Sequence, residues 1–109
     1  MNAVKSKLDF LDGLKSAIEG LHKCAACYLY TQAVEETVRG ETVWIGDVEV
    51  FAITGHPKAR ICYAWFSGKR KNDKNIERVF AVLEIPPVNS PQTAVRAIRR
   101  SIHTQSPAL

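Results

Sequence analysis

A chain of 109 residues has the size of one domain, and its 46% hydrophobic and 24% charged residues are ordinary for a globular protein. These values exclude a disordered or fibrous chain. No apolar run approaches the roughly 20 residues that span a bilayer, and the first residues alternate charge with leucine, unlike a signal peptide. We therefore expect one cytoplasmic domain over residues 1–109, with no membrane partner and with its three cysteines reduced.

The net charge of +4 is distributed unevenly along the chain. Residues 57–109 carry ten Lys and Arg against three Asp and Glu, a net charge of +7, whereas residues 23–56 carry two against five, a net charge of −3. On separate parts of the surface these segments would steer an anionic partner. In adjacent strands they would neutralise each other. The sequence leaves both interpretations open.

Two helices are predicted at the ends of the domain. Residues 7–22 place leucine and isoleucine at three- and four-residue steps, which gives one apolar helical face. Residues 91–103 follow Asn89-Ser90-Pro91, a polar cap with proline at the first helical position. We expect the tail, residues 104–109, to fray.

Between the helices, β-branched and aromatic residues predict three or four strands. The segments are 28–38, 48–54, 60–66 and 78–85. Gly46-Asp47 is either a two-residue hairpin turn or a bulge within a longer strand. Residues 60–66 are apolar at both alternating sets of positions, so this strand should be covered on both faces. Residues 67–77 are almost wholly polar and predict an exposed basic loop or arm.

This order predicts an α+β fold with an N-terminal helix, a three- to four-stranded antiparallel sheet and a C-terminal helix, arranged as a two-layer sandwich. We expect both helices on one face of the sheet. The residues expected to meet in a single core are Leu11, Leu14, Ile18, Ile61, Val82, Val95 and Ile98.

The leading functional hypothesis is a non-enzymatic module whose basic half binds an anionic partner, either nucleic acid or an acidic protein. Tyr63, Trp65 or Phe66 would stack on bases if exposed. A solvated loop and helix face would explain the same cations without function. Double-stranded-RNA-binding domains share the helix, sheet, helix order, but their lysine-rich start of the last helix is replaced here by SPQTAVRA. The candidate contacts are Lys69, Arg70, Lys71, Lys74, Arg78, Arg96, Arg99 and Arg100.

A second hypothesis is a thiol or metal-binding protein that uses Cys24 and Cys27, with His56 and Cys62 as further ligands. A structural zinc site needs four ligands, and one Cys-x-x-Cys pair supplies only two. The two sulfurs converge in a helix or tight turn but point to opposite faces in a strand. Ordinary unreactive cysteines are the remaining interpretation, and no cofactor is expected.

A third hypothesis is a small enzyme with His56 as general base beside Glu49 or Glu84. No Ser or Cys nucleophile stands at a recognisable spacing from His56, and no glycine-rich phosphate loop exists. A histidine before Pro57 also suits a turn in which the ring bonds to the backbone. The sequence therefore favours a non-enzymatic protein.

The stretch from Gly40 to Val95 resembles short uncharacterised bacterial proteins with a similar layout of helices and strands. The likeness rests on the segments VEVF, GHPKA, CYAW and IPPVNSP. It implies a cytoplasmic bacterial setting, and it transfers neither an activity nor catalytic residues.

Overall fold

A computed structural model describes residues 7–67 and 78–105 of the chain. The four strands of this described part form one antiparallel sheet, in which each strand lies beside the next one along the chain. The predicted α+β fold is confirmed, with an N-terminal helix, a four-stranded antiparallel sheet and a C-terminal helix that packs on the sheet. The elements in chain order are α1 (Lys7–His22), β1 (Ala25–Val38), β2 (Glu41–Thr54), β3 (Ile61–Ser67), β4 (Arg78–Leu83) and α2 (Pro91–Gln105).

The two helices pack against opposite faces of the sheet. Phe51 of β2 pairs with Cys62 of β3, and both lie in the apolar cluster beneath α1. The next pair along, Val50 with Tyr63, lies in the cluster beneath α2. Because neighbouring residues of a strand point to opposite faces, the sheet separates the two clusters.

The expectation of one core with both helices on the same face is therefore wrong. The reason lies in β3, whose two alternating sets of apolar side chains each need a cover, as the sequence predicted for this strand. Each helix makes its own layer on the sheet. The α1 cluster contains Leu11, Leu14 and Ile18, and the α2 cluster contains Ile61, Val82, Val95 and Ile98.

The turn of the β1–β2 hairpin is formed by Arg39 and Gly40, which have φ angles of 54° and 82°. Positive φ at both residues is what a two-residue hairpin loop of type I′ requires. Gly46-Asp47 is neither turn nor bulge, because both residues pair regularly with β1 inside a continuous β2. A Cβ at Gly46 would lie 3.0 Å from the Trp44 ring. Glycine here accommodates the indole, which contacts Trp65 at a ring-centre distance of 5.9 Å.

The hairpin extends well beyond the rest of the sheet. β2 pairs with β3 only over residues 49–52, although the β1–β2 ladder continues to the turn. Val34 and Val48 of this extension lie in the α2 cluster. The hairpin therefore brings the acidic end of β1 beside the basic last helix.

Several boundaries differ from those predicted. Among them, β2 begins earlier, at Glu41, β3 includes Ser67, and α2 continues to Gln105. The rest of the predicted arm, residues 68–77, and the tail, residues 106–109, lie outside the described residues. Neither helix of the described part combines the length and the apolar character needed to cross a membrane.

Candidate functional site

The structure describes only part of the predicted basic surface. Arg78 is the first residue of β4, and the cations predicted in the arm, Lys69, Arg70, Lys71 and Lys74, lie outside the described residues. The remaining three form what we call the arginine face of α2: Arg96, Arg99 and Arg100. Their spacing of three and four residues places them on one side of the helix.

α2 begins as its sequence predicted. The Thr93 backbone N–H donates to the Ser90 hydroxyl at 3.2 Å, and the Ser90 N–H donates in return to the Thr93 hydroxyl at 3.0 Å. The first helical backbone bond runs from Ala94 N–H to the Ser90 carbonyl. This reciprocal cap fixes the first turn and so the direction in which the following arginines project.

The arginine face is anchored to the hairpin through Glu36. Arg96 Nε donates to Glu36 Oε2 at 2.9 Å and Arg96 Nη2 donates to Oε1 at 3.3 Å. Gln92, one turn earlier, donates to Oε1 at 2.6 Å and to the Glu35 carbonyl at 2.9 Å. Glu36 is only 4% exposed, whereas the Arg96 side chain remains 42% exposed. The carboxylate is thus the buried partner and the guanidinium reaches the surface.

The electrostatics of this contact favour the charged form of both groups. The hydrogen bond from Arg96 lowers the pKa of the Glu36 carboxyl, with further lowering by Gln92, and burial opposes these effects. The same hydrogen bond raises the pKa of Arg96. The pair is therefore ionised at every physiological pH.

A cleft of about 190 Å³ runs beside the arginine face. One wall is α2 and the other is the segment that follows β4. This volume is many times the roughly 10–15 Å³ that one water needs, so a small chemical group fits. Arginine, threonine and apolar side chains line it together, namely Pro87, Val88, Thr93, Arg96, Ala97 and Arg100.

The three aromatic side chains predicted to stack on nucleic-acid bases are buried or half-buried. Tyr63 is 3% exposed and donates its hydroxyl hydrogen bond to Glu84 at 2.6 Å. Trp65 is 2% exposed and lies between Trp44 and Phe80. Phe66 packs against Phe10 with ring centres 5.0 Å apart. Tyr63 and Trp65 are therefore closed to bases, and Phe66 is half-buried against α1, so contact to nucleic acid at these positions would be made chiefly by charge.

The structure places Cys27 away from the other predicted thiol ligands, Cys24 and Cys62. Cys24 packs against the α1 cluster, in which Cys62 is buried. Cys27 is exposed and pairs with Ala52, between Phe51 and Ile53 of that cluster, so it points to the other face. Within residues 7–67 and 78–105, no group of three or more His, Cys, Asp or Glu side chains has the proximity to hold a metal ion.

His56 acts as a turn residue in this structure. Its Nδ1 accepts hydrogen bonds from the backbone N–H groups of Lys58 at 3.0 Å and Ala59 at 3.2 Å. The two carboxylates considered as its partners have other donors, Thr31 for Glu49 and Tyr63 for Glu84. His56 therefore shapes the connection into β3, which is the second of the two roles that the sequence suggested.

Sequence reasoning missed Glu36 and Gln92. Glu36 stands in the polar run Glu35-Glu36-Thr37, which reads as solvent-facing. Its alternation with Val34, two residues earlier on the same face, was the available signal, since a residue in phase with a buried valine faces the same layer. Nothing in the sequence identified α2, more than fifty residues later, as the partner.

No protein-family model matches this chain, and no curated protein or solved structure shows significant similarity to it. The arginine face, Glu36 and the cleft are therefore the features of the molecule that point to a function.

Proposed function

We propose that this protein is a non-enzymatic binding module that holds an anionic macromolecule, a nucleic acid or an acidic protein, against the arginine face of α2. The observation that carries the proposal is the charge of this helix. α2 contains Arg96, Arg99 and Arg100 and no acidic residue, and it borders a cleft that two of these arginines line. Guanidinium groups at helical spacing beside a concave surface suit carboxylate or phosphate oxygens.

The burial of the aromatic side chains limits the ways in which this protein can contact a nucleic acid. Because Tyr63 and Trp65 are inaccessible, base stacking does not contribute from these positions, and the contact is electrostatic. Binding of this kind is tolerant of sequence and sensitive to salt. The setting that we propose is the cytoplasm, where free thiols such as Cys24, Cys27 and Cys62 stay reduced.

Fluorescence anisotropy at low salt tests the proposal, with duplex DNA, duplex RNA, both single strands and an oligoglutamate peptide as labelled probes. The double variant Arg99→Gln/Arg100→Gln should weaken binding of the preferred probe. For a nucleic acid it should also reduce the slope of log affinity against log salt by about 2, one for each lost phosphate contact.

The matched control is Arg39→Gln/Arg60→Gln, which removes two exposed arginines outside α2. It lowers the net charge by the same amount and should leave binding nearly unchanged. Equal loss in both double variants would show that bulk charge, and not the arginine face, attracts the probe. Failure of the wild-type protein to bind any of the five probes would overturn the proposal.

A further inference from the structure

His56 closes the connection between β2 and β3 through one nitrogen of its ring. This nitrogen, Nδ1, accepts hydrogen bonds from the backbone N–H groups of Lys58 at 3.0 Å and Ala59 at 3.2 Å. A ring nitrogen accepts a hydrogen bond only while it carries a lone pair and no proton. The bonds of this turn therefore require the neutral form of His56, with its proton on Nε2.

The charged form of histidine is incompatible with this turn. Both nitrogens of an imidazolium carry a proton and donate, so no rotation of the ring restores an acceptor to the two N–H groups. The uptake of one proton from solvent at Nδ1 of His56 thus breaks both hydrogen bonds at once. Histidine is the side chain that ordinarily takes up a proton between about pH 5 and 8.

His22 of α1 lies against the same ring and tolerates the charged form. The two ring centres are 6.2 Å apart and the planes are nearly perpendicular, at 81°. His22 Nε2 donates to the Ala81 carbonyl at 3.0 Å, since a carbonyl oxygen can only accept. This bond persists when His22 takes up a proton. A charged His22 would also repel a charge on His56, which is a further reason for a protonated His56 to leave its place.

The other titratable groups beside His56 are cations or a thiol. Lys58 and Arg60 follow it on the same connection, and Cys24 of the α1–β1 connection lies beside Gly55, whose Cβ would be 4.0 Å from the Cys24 Cα. Among residues 7–67 and 78–105, no ion pair or hydrogen bond joins a carboxylate to the ring of His56 or His22. These surroundings supply no bonded carboxylate that would hold a protonated His56 in the closed turn.

The turn holds Ala59 in the core beneath α1. Ala59 is 6% exposed and belongs to the α1 cluster. The carbonyl of Arg60, the next residue, accepts a hydrogen bond from the Ile53 N–H at 2.9 Å, which ties the end of the connection to β2. Since α2 packs on the opposite face of the sheet, the arginine face lies outside this region.

We propose that the connection from Gly55 to Arg60 is a pH-sensitive turn, which opens when His56 takes up a proton and then releases Ala59 from the α1 core. The inference is independent of the proposed function, because the turn and the arginine face belong to opposite layers of the fold. The opening is local, since the bond from His22 to Ala81 does not depend on the neutral form of either ring.

NMR of the uniformly ¹⁵N-labelled full chain between pH 8 and pH 5 tests this turn. At pH 8 the ring of His56 should carry a proton on Nε2 and none on Nδ1. As the ring takes up its second proton, hydrogen exchange at the Lys58 and Ala59 amides should rise about tenfold or more above its intrinsic pH dependence, the size of one or two lost hydrogen bonds. A proton on Nδ1 at pH 8, a ring that titrates without these amides, or a ring that stays neutral at pH 5 would overturn the proposal.

The matched variant is His56→Asn, whose side-chain Oδ1 accepts N–H bonds in turns but takes up no proton in this range. Exchange at the Lys58 and Ala59 amides should then follow the intrinsic pH dependence alone. The control is His22→Gln, which keeps a donor for the Ala81 carbonyl and should keep the opening. An unchanged response in His56→Asn, or its loss in His22→Gln, would show that His56 does not drive the opening. If a variant fails to fold, the wild-type spectra still decide the question.

Discussion

Arg96 and Glu36 lie 60 residues apart in the chain and meet in a two-point contact, with Arg96 Nε 2.9 Å from one carboxylate oxygen and Nη2 3.3 Å from the other. The contact joins α2 to the end of β1, and Gln92 reinforces it. Loss of the cation would leave a buried carboxylate without its ion-pair partner, which is costlier than loss of an exposed pair. The ion pair thus holds the arginine face in place against the hairpin, and Arg96 is itself a member of that face.

The stability of the protein should depend on the ionisation of Glu36 at acid pH. The folded state lowers the pKa of this carboxyl below its ordinary value of 4.5, so its contribution is fully present above that value. The contribution is lost as the pH falls through the lower, folded pKa. Thermal melts from neutral pH downward should therefore show a shallower acid decline for Glu36→Gln than for the wild type.

The control for this experiment is Glu35→Gln. Glu35 precedes Glu36, is exposed and accepts a hydrogen bond from the Thr42 hydroxyl, and the substitution removes the same charge. Its melting temperatures should follow the wild-type decline with pH. Parallel curves for Glu36→Gln and the wild type would show that the Arg96 contact does not couple ionisation to folding.

The separate α1 core can be tested by cavity formation. Leu14 lies on the buried face of α1 and is 0% exposed. Leu14→Ala should therefore lower the free energy of unfolding by about 2–5 kcal/mol through lost burial and a residual cavity. Leu21 lies on the same helix and is 60% exposed. Leu21→Ala should change stability by no more than about 0.5 kcal/mol. Urea unfolding followed by circular dichroism measures both, and equal effects would place Leu14 outside a packed core.

The three thiols should react at different rates in the native protein. Cys27 is exposed, whereas burial raises the pKa of the Cys62 thiol to about 12 and also raises the pKa of Cys24. Only the thiolate reacts quickly with a disulfide reagent. We expect one fast thiol at pH 8, removed by Cys27→Ser, and three in denaturant. A fast phase that persists in Cys27→Ser would mean that Cys24 or Cys62 is accessible.

Local sequence patterns were sufficient to predict several elements. The apolar period of residues 7–22 matches α1, the cap at Ser90 matches the start of α2, and the doubly apolar pattern of residues 60–66 correctly indicated a strand covered on both faces. These features depend on neighbouring residues alone. The position of each helix on one face or the other depends on how the chain crosses the sheet edge, which no local pattern encodes.

The candidate site was only partly predictable for the same reason. A cationic helix face is visible in the spacing of Arg96, Arg99 and Arg100. The cleft and the Glu36 contact require the β1–β2 hairpin to extend past β3 and meet α2. Likewise, Gly46 lies inside β2 because a glycine there leaves room for the Trp44 ring. The Gly46-Asp47 pair in the sequence does not indicate this contact.

The long hairpin has a consequence for the order in which the chain folds. β1 and β2 are sequence neighbours and can pair early, but Glu36 receives its cation only from a helix formed near the other end of the domain. Until that helix is synthesised and docks, the acidic end of β1 must keep its carboxylate hydrated, so this half of the hairpin stays open to solvent. Docking of the last helix is therefore the event that buries Val34 and Glu36, and a nascent chain that stops before Arg96 leaves these two side chains exposed.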